Sequence, residues 1–342
     1  MKNQLENLSE TFQKNDLKSS TPKYQQIVDH IISAIQKKQL TRGAQLPSIN
    51  LVSKNFSVAR ETVVKAYKEL KSRGIIESRP GKGFYVNSES IEQEMKVFLF
   101  FDEFVFYKQQ LYQSFKDTLP KSAFVDVFFH HHNFDVFEKL LLDSLGKYSH
   151  YVIMALHDKR VVNVLKRIEP NKLLLLDRAD CCENKFASVC QDFNDSVFEC
   201  LEHGLEVIKK YQKIVLVLPQ QSIHPAETAR GVKRFCQKYS IDYEKIHPIE
   251  PEDIQQGVAY LVIFDNDLVD ILEMSKLLGF EIGEDLGIIS YNDTPLKHFI
   301  DGGLTVISTN FELMGRRAAE QLLKRQPGND IIPTKMIVRN SL

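Results

Sequence analysis

The sequence predicts an α/β protein in two parts, a small N-terminal unit of three helices and a β-hairpin followed by a larger, doubly wound α/β domain. Three observations carry that prediction. In the first ninety residues, apolar positions recur at helical spacing in three segments and are followed by two short β-type runs around a glycine-rich turn. Beyond them, seven continuous apolar runs alternate with helix-length amphipathic segments, the pattern of parallel strands covered on both faces. Charge divides at the same place: residues 1–90 hold 15 Lys+Arg against 8 Asp+Glu, and the remaining residues hold 29 against 37. A basic unit joined to an acidic one points to a polyanion-binding module, because counterion release drives non-specific nucleic-acid affinity. The expected division is 20–88 for the small unit, 89–96 for a polar linker and 97–342 for the large domain.

In the small unit, Tyr24, Ile27, Ile31, Ile32 and Ile35 form the stripe of a first helix that begins near Pro22. Gly43 and Pro47 break the chain, and a short helix follows with Ser48 as its N-cap and Ile49, Val52 and Phe56 facing inward. A third helix, Arg60 to Ser72, places Val63, Ala66, Tyr67 and Leu70 inside and Arg60, Glu61, Lys65 and Lys68 outside, and Gly74 ends it. The runs 75–78 and 84–87 flank Arg79-Pro80-Gly81-Lys82-Gly83, which reads as a hairpin with a basic tip. This is the build of a winged helix-turn-helix, in which one helix enters the major groove and a cationic wing approaches the backbone or minor groove.

The large domain carries its apolar runs at 97–101, 124–129, 151–156, 172–176, 214–218, 260–264 and 287–291. Ligands in such sheets bind beyond the carboxyl ends of the strands, where this chain places Asp102, Asp177-Arg178, Asp265-Asn266-Asp267 and Asn292-Asp293. Carboxylates and amides in that arrangement suit a polyhydroxylated ligand, and they equally suit helix N-capping. Adjacent His130, His131 and His132 on a strand end face alternate sides and do not form a metal site, so no metal and no cofactor is expected. No apolar run approaches the roughly 18 residues of a membrane span, and the polar N-terminus has no signal-peptide core. A cytoplasmic protein that does not engage the membrane is expected. Its five cysteines, Cys181, Cys182, Cys190, Cys200 and Cys236, show no CxxC spacing and are expected to be reduced.

Residues 46–86, from the leucine-proline-serine turn through the third helix to the GxGxxV wing, resemble the DNA-binding signature of GntR-type regulators. The resemblance implies DNA contacts at Ser48, Arg60, Thr62, Lys65, Gly81, Lys82 and Gly83. Two departures stand out. Asn50 replaces an arginine common in the family, and Ala59 replaces the usual serine N-cap, a loss of ~1 kcal/mol of capping. Residues 279–324, with GEDLGIISYND and the LTVI strand, resemble the lac-repressor family, whose effector domain has the two-lobed fold of type I periplasmic sugar-binding proteins. That resemblance implies effector contacts at Asp177, Asn266 and Asn292, with Asp293 structural. The family's sugar-binding arginine aligns with Thr228, leaving Arg230 to compensate by a shift of register, and Asp102 joins the candidates as a strand-end carboxylate.

Together the two parts resemble the arabinose-repressor class of regulators. This implies a homodimeric, non-enzymatic repressor that binds operator DNA and is controlled by a monosaccharide or sugar derivative. The alternative is a GntR-type regulator whose second domain binds a non-sugar metabolite or carries an enzymatic activity. An aminotransferase-like partner domain finds no pyridoxal-binding context here, and no P-loop, HExxH or GxSxG motif is present.

Overall fold

Local signals start and stop the helices of the N-terminal unit where the periodicity places them. The computed structural model describes residues 22–88, 95–179, 186–220, 222–324 and 328–342. Helix α1 (Lys23–Gln36) opens at Pro22 and buries Ile27, Val28, Ile31, Ile32 and Ile35. Helix α2 (Ile49–Phe56) is capped by Ser48, whose hydroxyl accepts from the Leu51 N–H at 3.3 Å, and it ends at a left-handed Ser57. Helix α3 (Arg60–Ser72) has no side-chain cap at Ala59 and buries Val63, Ala66, Tyr67 and Leu70. The Tyr67 hydroxyl donates to the Pro47 carbonyl at 2.7 Å, which binds α3 to the turn before α2. Strands β1 (Ile76–Arg79) and β2 (Gly83–Val86) pair antiparallel, one residue later and earlier respectively than the periodicity suggested.

The rest of the chain forms two six-stranded sheets. The first lobe contains β3 (Lys96–Phe101), β4 (Phe124–Phe129), β5 (His150–Ile153), β6 (Leu173–Asp177), β7 (Ala187–Gln191) and β13 (Asn329–Ile332), in the order β13-β7-β6-β5-β3-β4. All of its pairings are parallel. The second lobe contains β8 (Lys213–Val217), β9 (Asp242–Ile246), β10 (Val258–Val262), β11 (Gly287–Tyr291), β12 (Thr305–Thr309) and β14 (Thr334–Ile337), in the order β14-β12-β11-β10-β8-β9. Here only β14 runs antiparallel to its neighbour. Each of the seven apolar runs contains a strand, although β5 stops at Ile153, short of the end of its run at 156. Strand β9, DYEKI, escaped the periodicity because it is a polar edge strand.

Alternation within single strands shows why both faces need covering. Val97, Leu99 and Phe101 pack on one side of the first sheet, and Phe98 and Phe100 pack on the other. Ile214 and Leu216 likewise face away from Val215 and Val217 in the second. Helices α4 (Phe106–Thr118) and α5 (Phe134–Ser144) cover the first sheet, while α7 (Asp195–His203), α9 (Glu227–Tyr239) and α10 (Asp265–Leu278) cover the second. Short helices α6 (Val161–Leu165) and α8 (Leu205–Ile208) complete the two lobes.

The chain passes between lobes three times: from β7 to α7, from β12 to α11 (Phe311–Leu323), and from β13 to β14. Helix α11 returns to the first lobe and packs closely on α4. A Cβ at Gly315 would lie 2.1 Å from the Leu111 carbonyl oxygen, so only glycine permits that approach. Cys190, Cys200 and Cys236 are buried, the latter two as free thiols, whereas Cys181 and Cys182 lie outside the described residues. Most of the expected linker, residues 89–94, also lies outside them. Among the described residues no helix is long and apolar enough to cross a membrane.

Candidate functional site

Two surfaces collect the candidate residues. On the N-terminal unit, Ser48, Arg60, Lys65, Gly81, Lys82 and Gly83 are exposed and Thr62 is half-buried. Arg60 is the first residue of α3, so it stands at the positive end of the helix dipole. The Lys65 ammonium lies 3.9 Å over the Tyr24 ring, which holds its charge against α1. At the wing tip Gly81 and Gly83 have φ of 69° and 100°, left-handed values that favour glycine. Gln45 donates to the Lys82 carbonyl at 2.8 Å and fixes the turn from below, leaving the Lys82 side chain at the tip.

The second surface is a cavity of about 460 Å³ between the lobes, lined at the carboxyl ends of strands from both sheets. Asp102 follows β3, Asp177 ends β6 and Asn292 follows β11. Asp177 and Asn292 have left-handed φ of 71° and 58°, a conformation Asp and Asn adopt more readily than other side chains. Asp102 forms a buried ion pair with Lys108 of α4. Burial alone would raise the Asp102 carboxyl, but the adjacent ammonium more than offsets it and holds the carboxyl below its usual range. Asp177 forms no such ion pair among the described residues. Burial, reinforced by the charge of Asp102, raises its carboxyl, and one oxygen accepts from the Gln191 amide at 2.6 Å.

From the second lobe, Lys297 is buried and donates to the Tyr291 and Asn292 carbonyls at 3.0 and 2.9 Å, while its charge meets Asp265 at 2.8 Å. This cation fastens the end of β11 and so orients Asn292. The Asn292 side-chain oxygen is buried without a hydrogen-bond partner among the described residues. His224 packs edge-on against Phe193 and Tyr291 and shares a 2.7 Å hydrogen bond with Thr228. Burial, aided by the charge of Arg178, depresses its imidazole to about 3, so it is neutral at pH 7. Arg178 spans the lobes by donating to the Ile223 carbonyl at 3.3 Å.

The cavity thus brings together Asp102, Asp177 and Asn292, and it does not include Asn266 or Arg230. Helix α10 begins at Asp265, whose side chain turns to the cleft, and the next residue, about 100° further round the helix, is exposed. Arg230 is exposed and paired with Glu227 on its own helix, and neither it nor the fully buried Thr228 lines the cavity. Asp293 is outside the lining as well, held by Arg339 at 2.6 Å. Lys108, Gln191, His224 and Lys297 were not legible as site residues. None belongs to a local motif: Gln191, His224 and Lys297 line the cleft, while Lys108 stands behind it as the partner of Asp102.

A recognition helix with an exposed cationic face, joined to two lobes around a polar cleft, defines a transcription regulator with a DNA-binding domain and an effector-binding domain. Comparison with known proteins agrees. Residues 23–86 match the model of bacterial regulatory proteins of the gntR family, and residues 207–342 match that of the periplasmic binding protein-like domain. The HTH-type transcriptional regulator YhcF of Bacillus subtilis strain 168 is 34% identical over 83 residues, 24% of this chain and 69% of that protein. The chain belongs to the gntR family of bacterial regulatory proteins. The mannosyl-D-glycerate transport/metabolism system repressor MngR of Escherichia coli K12 is 35% identical over 82 residues, and the match spans only 34% of its length. The dimeric Lac repressor with an 11-residue C-terminal deletion superposes with a TM-score of 0.61 at 18% identity, covering 72% of this chain and 98% of that one, which establishes the shared fold.

Proposed function

We propose that this regulator is a homodimeric repressor of carbohydrate-utilisation genes whose effector is a neutral sugar held between the lobes. One observation carries the reading: the interlobe cavity is rich in hydrogen-bond acceptors, and its cations are already engaged. Its lining contains Asp102, Glu103, Asp158, Asp177 and Asp265 against Arg160, Arg178 and Lys297. Arg160 is paired with Asp158 and Lys297 with Asp265, while Arg178 donates to the Ile223 carbonyl. Asp102 is paired with Lys108, so among the described residues Glu103 and Asp177 are the lining carboxylates with no Lys or Arg ion pair; a ligand that donates hydroxyls meets complementary partners there, whereas a carboxylate or phosphate meets cations already engaged.

In this reading Ser48, Arg60, Thr62, Lys65 and the Gly81-Lys82-Gly83 wing meet operator DNA, in a small domain spanning 20–88. The sugar engages Asp177 and Asn292 across a domain spanning 97–342. The sugar bridges the lobes, and its differential affinity for closed and open forms shifts the balance of operator binding. Thermal melting with L-arabinose, D-xylose, D-ribose, D-galactose and D-glucose, beside D-gluconate, D-galacturonate and glucose 6-phosphate, tests it. A neutral sugar is expected to raise the melting temperature by mass action. In calorimetry Asp177→Ala and Asn292→Ala are each expected to weaken that sugar by ~1–3 kcal/mol. Stabilisation by the acidic sugars alone would overturn the neutral-ligand reading, and stabilisation by none would remove the sugar.

A further inference from the structure

We propose that Gln191 is a positioning residue that ties the effector-binding carboxylate of Asp177 to all three chain crossings between the lobes. Gln191 ends β7 at the first crossing, Thr309 ends β12 at the second, and Thr334 opens β14 at the third. The Thr309 hydroxyl donates to the Gln191 side-chain oxygen at 2.7 Å and lies 2.7 Å from the Thr334 hydroxyl. A hydroxyl carries one hydrogen, so Thr334 must be the donor to Thr309. The donors therefore run in one direction, from Thr334 to Thr309 to Gln191, and the Gln191 amide nitrogen delivers the last bond to Asp177. This order pins the orientation of the amide, since its nitrogen must face the carboxylate and its oxygen the hydroxyl.

The chain of bonds is buried at its centre, with Gln191 8% and Thr309 4% exposed. A main-chain bond from the Asn310 N–H to the Pro333 carbonyl at 3.2 Å joins the second and third crossings beside it. Any rotation of one lobe against the other twists the three crossings together, so it must stretch or redirect these bonds. Conversely, a ligand hydroxyl that engages Asp177 changes the acceptor on which the chain ends, and serial hydrogen bonds polarise one another. The Gln191–Thr309–Thr334 link is thus the physical connection between occupancy of the first-lobe wall and the hinge. The signalling part of this inference rests on the cleft being the effector site.

Thr309 does not line the cavity, so substituting it perturbs the link without touching the ligand. Thr309→Val removes both hydrogen bonds at nearly constant shape, and Thr309→Ser restores the hydroxyl. Hydrogen exchange on the ligand-free protein should show the Asn310 amide exchanging about tenfold faster in Thr309→Val and near the wild-type rate in Thr309→Ser. The second readout uses the sugar that raises the melting temperature and an operator fragment selected from random DNA. In Thr309→Val the sugar should bind within about threefold of wild type, while its effect on operator affinity, typically about 5–150-fold in allosteric systems, should fall toward unity. Should Thr309→Val fail to fold, Thr334→Val at the half-buried end removes the bond between the second and third crossings alone, and the same faster Asn310 exchange is expected of it. Wild-type exchange and coupling in the valine variant would overturn the proposal, as would a serine variant as defective as the valine one. If no sugar stabilises the protein, the sugar reading and the signalling role fall together, and the exchange measurement alone decides whether the link positions the hinge.

Discussion

Arg60, Lys65 and Lys82 stand exposed on one helix and one turn within a segment of twenty-three residues, whereas Asp177, Asn292 and Lys297 reach their cleft from two sheets and a loop. These exposed cationic side chains rest on a frame held by its own small core, with Tyr67 and Phe84 in edge contact at 4.9 Å. The cleft side chains are instead parts of the frame. Lys297 holds two carbonyls, Asp177 accepts from the hinge, and Asp102 is locked to α4. The contrast teaches that substitutions on the reader should change binding and spare stability, while many substitutions in the cleft should change both.

The largest expected effect tests the cleft side of that contrast. Lys297→Met leaves the Tyr291 and Asn292 carbonyls without their donor, and each buried unsatisfied group costs ~1–3 kcal/mol. Unfolding in urea should show a loss of about 3 kcal/mol, together with weakened sugar binding. A variant as stable as wild type would show that the cation is not structural. Next in size is Arg60→Ala, expected to weaken operator binding by ~1–3 kcal/mol if it reads a base edge. Gel-shift titration measures the loss, and its melting temperature and sugar affinity should match wild type. Undiminished operator affinity would move the recognition surface away from the start of α3.

Acid sharpens the comparison further. His224 is held near 3 in the folded state, below the ordinary histidine value, because burial penalises its charged form. Between that value and about 6.5 the unfolded chain binds the extra proton, so stability rises with pH and is lost as pH falls through this window. The slope is on the order of 1.4 kcal/mol per pH unit for one such group. His130, depressed to about 4 chiefly by burial, acts in the same sense, whereas Asp177, raised by burial, acts in the opposite one. Comparing His224→Gln with wild type isolates the His224 share: urea unfolding at pH 5 and pH 7 should show a flatter dependence in the variant. An unaltered slope would mean that the imidazole is not buried neutral.

The smallest expected effect lies on the reader. Ala59→Ser supplies the missing cap of α3 and should stabilise that unit by ~1 kcal/mol or less. Unfolding followed on the full chain by exchange of the α3 amides checks it, and unchanged protection would mean that the first-turn N–H groups are already satisfied.

Local periodicity made nearly all of the reader legible, since its helices bury residues three and four apart and its turns need glycine at Gly81 and Gly83. It also marked the apolar strands and the strand-end residues Asp102, Asp177 and Asn292, because a covered parallel strand is a continuous apolar run that ends where its polar loop begins. Which strand-end residues face the cavity was decided only by tertiary structure. Asp265 rather than Asn266 borders the cavity because successive residues in the first turn of α10 project about 100° apart. Lys297 and Gln191 carry no local signature at all. Gln191 meets Thr309 across 118 residues of sequence, and a bond between segments so far apart is specified by how two sheets stack and cross rather than by any pattern along the chain.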